Sequence, residues 1–285
     1  MATTMRADKK KDKPPSRRQR TKNKRLETAR RRRAQARYAV VYDVQGPKVR
    51  LGVLWFLLIV GSLVYGTPAL AVVYGCASTL AAYQLSRAWI ELDEHPSLLI
   101  ATIGAAAIPS AAVVGPAPAG VAVLGTTVLA VFAATATPGS REHYIHTVGL
   151  TVRCSVFVGV AAAAPILAYE VHPGAGALLV LFVSGYETGD YLVGTGSANP
   201  LEGPIAGATA VGVFGFAAWV ANLPPFDRAV VPALTGMAIL LCPLGQLMGS
   251  ALLPRADTPA SAVRRLDSLL VLGVVWLAAV WTLVD

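Results

Sequence analysis

The sequence predicts an all-α polytopic membrane protein, a bundle of about nine transmembrane helices preceded by a disordered basic tail. Three observations predict it. Apolar residues make up 54% of the 285 and mean hydropathy is +0.55, which excludes an ordinary water-soluble domain. Polar, proline and glycine punctuation divides the chain after residue 50 into nine pieces, each near the ~20 residues that a bilayer core requires. Charge is segregated: residues 1–50 hold 18 of the 25 Lys+Arg and 4 of the 16 acids, a formal +14, and the remaining 235 residues carry −5.

The first region, residues 1–48, is a basic cytoplasmic tail. From Met1 to Arg37 it is built of Lys, Arg, Gln, Thr and Ser with few large apolar side chains, so it cannot bury enough surface to offset the entropy of ordering. Its charge suits anionic lipid headgroups, at about 1 kcal/mol per basic residue near the surface. Nucleic acid is not the expected partner, because no interleaved aromatics or fold motif accompanies the charge. The charged stretch is too long for a cleavable signal peptide, and no small-residue cleavage site follows a short apolar core.

The second region, residues 49–285, is the transmembrane domain. Its expected spans are 51–66, 68–89, 97–114, 117–136, 148–169, 175–193, 204–222, 229–252 and 267–284. Only Gly66, Thr67 and Pro68 part the first two, which admits a tight hairpin or a re-entrant pair. Runs such as Ala105–Ala107 and Ala161–Ala164 let helices approach closely where no hydrophobic driving force acts. Cys76, Cys154 and Cys242 lie far apart in apolar runs, which suggests neither a disulfide framework nor a thiolate metal site.

The tail's bases directly precede the first span, so the N-terminus is expected in the cytoplasm and, after nine spans, Asp285 outside. Arg87, Arg141, Arg255, Arg264 and Arg265 then lie in inner loops and only Arg228 in an outer one, so charge bias and span count agree. The expected location is the plasma membrane of a prokaryote.

Charge at membrane depth costs about 2.5–3.5 kcal/mol per residue on insertion scales, so its placement is informative. Two inner segments collect most of it. In the first, Glu187 and Asp190 share a helix face and lead into Gly194-Thr195-Gly196-Ser197-Ala198-Asn199-Pro200-Leu201-Glu202-Gly203. Carboxylates beside a loop with exposed N–H groups suit a cation and phosphates, although the same pattern suits an ordinary polar helix end. The second runs from Gly245-Gln246 past Ser250 and Arg255-Ala256-Asp257 to Arg264-Arg265-Leu266-Asp267-Ser268. Its arginines serve equally as phosphate ligands or as anchors of the last span, with Asp267 as its N-cap. His95, His143, His146 and His172 form no triad or metal-ligand pattern, which argues against a hydrolase. No span centre holds the buried charge pair that would mark an ion path, which argues against a transporter.

These segments resemble the integral-membrane phosphatidate cytidylyltransferases, or CDP-diacylglycerol synthases. That family carries an Asp-bearing helix, a glycine-rich stretch ending in Ser-Pro-x-Lys-Thr-x-Glu-Gly, then Gly-Asp-Leu-x-x-Ser, and finally Lys-Asp and His-Gly-Gly closing in Asp-Arg-x-Asp-Ser. Here the matching segments are Gly189-Asp190-Tyr191-Leu192, Asn199-Pro200-Leu201-Glu202-Gly203, Gly245-Gln246-Leu247-Met248-Gly249-Ser250 and Arg264-Arg265-Leu266-Asp267-Ser268, in family order over about residues 145–285. Gln246 and Arg264 stand where the family has aspartates tied to divalent-cation binding. The His-Gly-Gly stretch is absent and the lysine-bearing loop is shortened.

The resemblance implies transfer of CMP from CTP to phosphatidate, giving CDP-diacylglycerol and pyrophosphate, with Mg²⁺ as cofactor. It implies Asp190 and Asp267 as metal ligands, with Glu187 or Glu202 replacing the lost carboxylate, and Arg255 and Arg265 as phosphate clamps. It further implies Gly194, Ser197, Asn199 and Glu202 in a nucleotide cradle and Ser250 and Ser268 as polar supports. A homodimer is admitted. The departures leave a second reading beside it: a non-catalytic or repurposed homologue that binds anionic lipid or a partner protein.

Overall fold

The structure is a computed structural model and describes residues 48–136, 141–195, 197 and 199–284. The basic tail before Lys48, with its expected disorder, lies outside the described residues. The described residues fold into nine α-helices with no strand: α1 Lys48–Tyr65, α2 Thr67–Ile90, α3 Leu98–Ala112, α4 Pro116–Thr135, α5 Arg141–Val171, α6 Pro173–Gly194, α7 Glu202–Ala221, α8 Val231–Leu252 and α9 Asp267–Val284, with one 3₁₀ turn, Val263–Arg265, before α9. Each expected span coincides with one helix.

Six helices, α2, α4, α5, α7, α8 and α9, are long and apolar enough to cross a membrane. Of the other three, α3 is apolar but shorter, and in α1 the apolar stretch covers only Gly52–Tyr65. Helix α6 has the length, at 22 residues, but carries Glu187 and Asp190.

Breaks between helices follow local chemistry. Gly66 has φ +88° before Pro68, and Gly115 has φ +135° before Pro116. Both are backbone conformations that glycine adopts without strain, and proline's fixed φ then starts the next helix. The first pair of spans is therefore two separate helices joined by a one-residue turn. His172 starts α6, its Nδ1 accepting from the Gly174 N–H at 3.0 Å, with Pro173 in the first turn. Asn222 ends α7 in the left-handed conformation.

Helix α5 is the centre of the bundle. Its apolar window is 72% buried against 22% for α4 and α7, which stand at the periphery. Their outward side chains include Val121 at 68% exposed and Phe216 at 65%. So wide an apolar surface requires an apolar surround, and the chain is a membrane protein. Inside, hydroxyls cross between helices: Ser78 Oγ donates to the Ala105 carbonyl at 2.7 Å, and the Ser97 N–H donates to Thr151 Oγ1 at 2.9 Å.

Contacts define two ends of the bundle. At one, Tyr169 Oη donates to the Leu63 carbonyl, and Gly174 lies against the Pro224 carbonyl. The other gathers the C-terminal ends of α2, α6 and α8, the N-terminal ends of α3, α5 and α9, and the 3₁₀ turn. There His146 Nδ1 lies 3.2 Å from Glu94, and the Gln84 Oε1 accepts from the Ala262 N–H at 2.9 Å. This second end holds the buried carboxylates Asp190 and Asp267.

Candidate functional site

Close backbone approach builds the polar end. A Cβ added at Gly189 of α6 would stand 2.6 Å from the Ala206 carbonyl oxygen of α7, and one at Gly207 would stand 2.8 Å from the Tyr186 ring. Between α8 and α9 the fit is as tight: a Cβ at Gly245 would strike the Asp267 carbonyl oxygen, and one at Gly249 would lie 2.6 Å from the Asp267 Cβ. Glycine is required at Gly189 and Gly245 because backbone fills the space, at Gly207 because the Tyr186 ring and carbonyl oxygen do, and at Gly249 because the Asp267 Cβ, fixed to its own backbone, does. Accordingly, Gly249→Ala is expected to cost about 1–3 kcal/mol by overpacking, read as a lower midpoint in thermal denaturation of the detergent-solubilised protein. An unchanged midpoint would show that α8 and α9 are not held this closely.

The approach brings three segments together. Asp190, from α6, is 2% exposed and Asp267, at the start of α9, is 3% exposed. Gln246, from α8, donates through Nε2 to Asp190 Oδ2 at 2.9 Å, and its Oε1 accepts from the Tyr186 hydroxyl at 3.3 Å. Arg264, from the 3₁₀ turn, donates through one guanidinium nitrogen to Ser250 Oγ and through another to the Ala256 carbonyl, both at 2.9 Å. It also stands 3.5 Å from Asp267 Oδ2. Ser268 Oγ faces the other oxygen of Asp267 at 3.5 Å.

Glu187 lies within electrostatic reach of Asp267, Arg265 and Asp190, and Ser268 interacts with its carboxylate. Its Oε1 is buried without a hydrogen-bond partner. Arg265 turns toward α1, where a Cβ at Gly52 would meet its guanidinium at 3.7 Å.

The sequence-predicted residues thus divide. Asp190, Glu187, Ser250, Arg265, Asp267 and Ser268 converge, and Gly194 is buried at the end of α6. Arg255 is exposed and paired with Asp257 at 3.2 Å. Ser197 and Asn199 close a turn of their own: Ser197 Oγ accepts from the Asn199 N–H at 3.0 Å, and Asn199 Oδ1 accepts from the Leu201 N–H at 3.1 Å. Glu202 is an exposed residue in the first turn of α7. Gly196 and Ala198 of the expected cradle lie outside the described residues.

Two participants were not anticipated as such. The sequence alone reads Gln246 and Arg264 as lost aspartates, and Arg264 equally as a phosphate ligand or an anchor of the last span; both are hydrogen-bonding partners within the cluster. A third residue, Arg153, went unremarked. Its guanidinium donates to the Ala251 carbonyl and stacks 4.8 Å from the Trp89 ring, while Trp89 Nε1 donates to the Leu252 carbonyl at 3.0 Å. Together they satisfy carbonyls left open in the last turn of α8 and hold the segment that leads to Arg264. A lone arginine twelve residues into an apolar helix was the available signal.

Whether these side chains suit Mg²⁺ follows from the donors present. Mg²⁺ demands about six oxygens in near-octahedral array. Here Asp190 Oδ2 is taken by an amide, Asp267 Oδ2 faces a guanidinium, and Glu187 Oε1 alone stands buried without a donor. Among the described residues no group of three or more His, Cys, Asp or Glu is arranged to hold a metal ion. The cluster does not fit the ion in this arrangement. What it presents is a guanidinium, Arg265, within electrostatic reach of a buried carboxylate oxygen of Glu187. No protein-family model, no curated protein and no solved structure matches this chain.

Proposed function

We propose that this chain is a membrane protein of the phosphatidate cytidylyltransferase type, repurposed to bind a phosphate-bearing anionic lipid rather than to transfer CMP. The carrying observation is the meeting of the α6, α8 and α9 ends: three of the four segments that resemble the family's motifs, in family order, supply one buried polar cluster with Arg265 beside it. Nine spans, a cytoplasmic N-terminus and a tail held on anionic headgroups complete the reading, with the cluster opening at the inner leaflet. Arg265 supplies the contact to the lipid phosphate, and Glu187 accepts from a hydroxyl of the headgroup.

One observation favours a second reading. The donor-less Oε1 of Glu187 offers a carboxylate oxygen to stand in for the one lost at Gln246, and in that reading formation of CDP-diacylglycerol and pyrophosphate from CTP and phosphatidate survives. A single experiment separates the two. The purified protein in nanodiscs containing phosphatidate is given CTP and Mg²⁺. Saturable phosphatidate binding without pyrophosphate release is expected, and Arg265→Ala should weaken binding about ten-fold, the loss of one charge-assisted hydrogen bond. Pyrophosphate and CDP-lipid that disappear in Asp267→Asn would establish the second reading instead.

A further inference from the structure

We infer that Gln246 and Arg264 take over the electrostatic work of a divalent cation at Asp190 and Asp267, so that this buried pair of aspartates is stable without one. The inference deepens the lipid-binding reading, yet it stands on the geometry of the cluster and needs no lipid to test.

The two residues occupy the positions at which the sequence departs from the resembling pattern by losing an aspartate. In the structure each bonds one of the two aspartates that remain. Gln246 Nε2 donates to Asp190 Oδ2 at 2.9 Å, and Arg264 stands 3.5 Å from Asp267 Oδ2. Four aspartates at these positions would bring a formal −4. Here Asp190 and Asp267 contribute −1 each, Gln246 nothing and Arg264 +1, a formal −1.

Buried carboxylates at such proximity repel strongly unless a cation or donors lie between them. The replacements remove half of the acids and aim a donor at each survivor. Both are held to that task from behind. The Tyr186 hydroxyl donates to Gln246 Oε1, which orients the amide so that its nitrogen faces Asp190. Ser250 Oγ and the Ala256 carbonyl accept from Arg264 and fix the guanidinium over Asp267. A guanidinium has no affinity to lose to a chelator, so the lock is permanent where an ion would exchange.

The test is thermal denaturation and Mn²⁺ binding of the full chain in detergent, with neither lipid nor nucleotide present. The wild type is expected to show the same midpoint in EDTA and in millimolar Mg²⁺, and no saturable Mn²⁺ binding by electron paramagnetic resonance below about 1 mM. The double variant Gln246→Asp, Arg264→Asp, which restores four acids, is expected to melt several degrees lower in EDTA and to regain most of that loss in Mg²⁺. If the double variant does not fold, Gln246→Asp alone carries the comparison, with a smaller shift in the same direction. A wild type stabilised by Mg²⁺ or binding Mn²⁺ tightly, or folded variants indifferent to divalent cations, would overturn the inference. Failure of phosphatidate binding would overturn only the lipid reading and leave this result untouched.

Discussion

Replacing Arg264 by alanine is expected to destabilise the protein by about 3–5 kcal/mol, because it leaves a buried carboxylate without its charge partner. Asp267 has a side chain only 4% exposed, and the Arg264 side chain that faces it is 21% exposed. Truncation also leaves Ser250 Oγ and the Ala256 carbonyl without the donor they share. The effect is read as the shift in midpoint on thermal denaturation in detergent. Arg264→Lys should recover only part of it, since an ammonium cannot reach three acceptors in the planar fork that a guanidinium presents. A shift below about 1 kcal/mol for the alanine variant, the scale of a surface ion pair, would mean that Asp267 is not buried against Arg264.

A comparable loss, about 3–5 kcal/mol, is expected for Trp276→Ala, and for a different reason. Trp276 is fully buried in α9 and meets Phe182 of α6 and Phe226 of the α7–α8 connection edge-on, each at 5.8 Å between ring centres. Its Nε1 donates to the Ala175 carbonyl at 3.2 Å. Alanine opens a cavity that the close-packed helices cannot collapse into, and it removes the indole's hydrogen bond to α6. Trp276→Phe should cost roughly 1–2 kcal/mol, losing the hydrogen bond and little volume. Trp276 lies nine residues beyond Asp267, about 13 Å along the helix. The Arg264 and Trp276 losses should therefore add, and a double variant that falls well short of the sum would show the two regions to be coupled.

The helices were legible in the sequence because span length and Gly/Pro punctuation are local signals. Gly66-Thr67-Pro68 and Gly115-Pro116 mark breaks that the backbone then makes with positive φ. The convergence of Asp190, Glu187 and Asp267 was legible only through resemblance, since nothing local brings α6 to α9. What stayed hidden was pairing. Gln246 reads in sequence as an absent carboxylate, and only the fold makes its amide a donor to Asp190. Arg264 counts in sequence as one more inner-loop base, and only the 3₁₀ turn aims it at Asp267. The stretch from Gly194 to Glu202 reads as a ligand cradle because its residues are good hydrogen-bonding groups. Ser197 and Asn199 turn those groups on their own backbone.

The central claim is that the ends of α6 and α8 meet at the polar end, with Asp190 against Gln246. Thiol cross-linking tests it most directly. In a chain with Cys76, Cys154 and Cys242 replaced by alanine, the pair Asp190→Cys, Gln246→Cys should be joined by a short bifunctional thiol reagent, and the control pair Asp190→Cys, Arg228→Cys should not. Equal yields for the two pairs, or no product at positions 190 and 246 when both thiols accept a monofunctional label, would contradict the account.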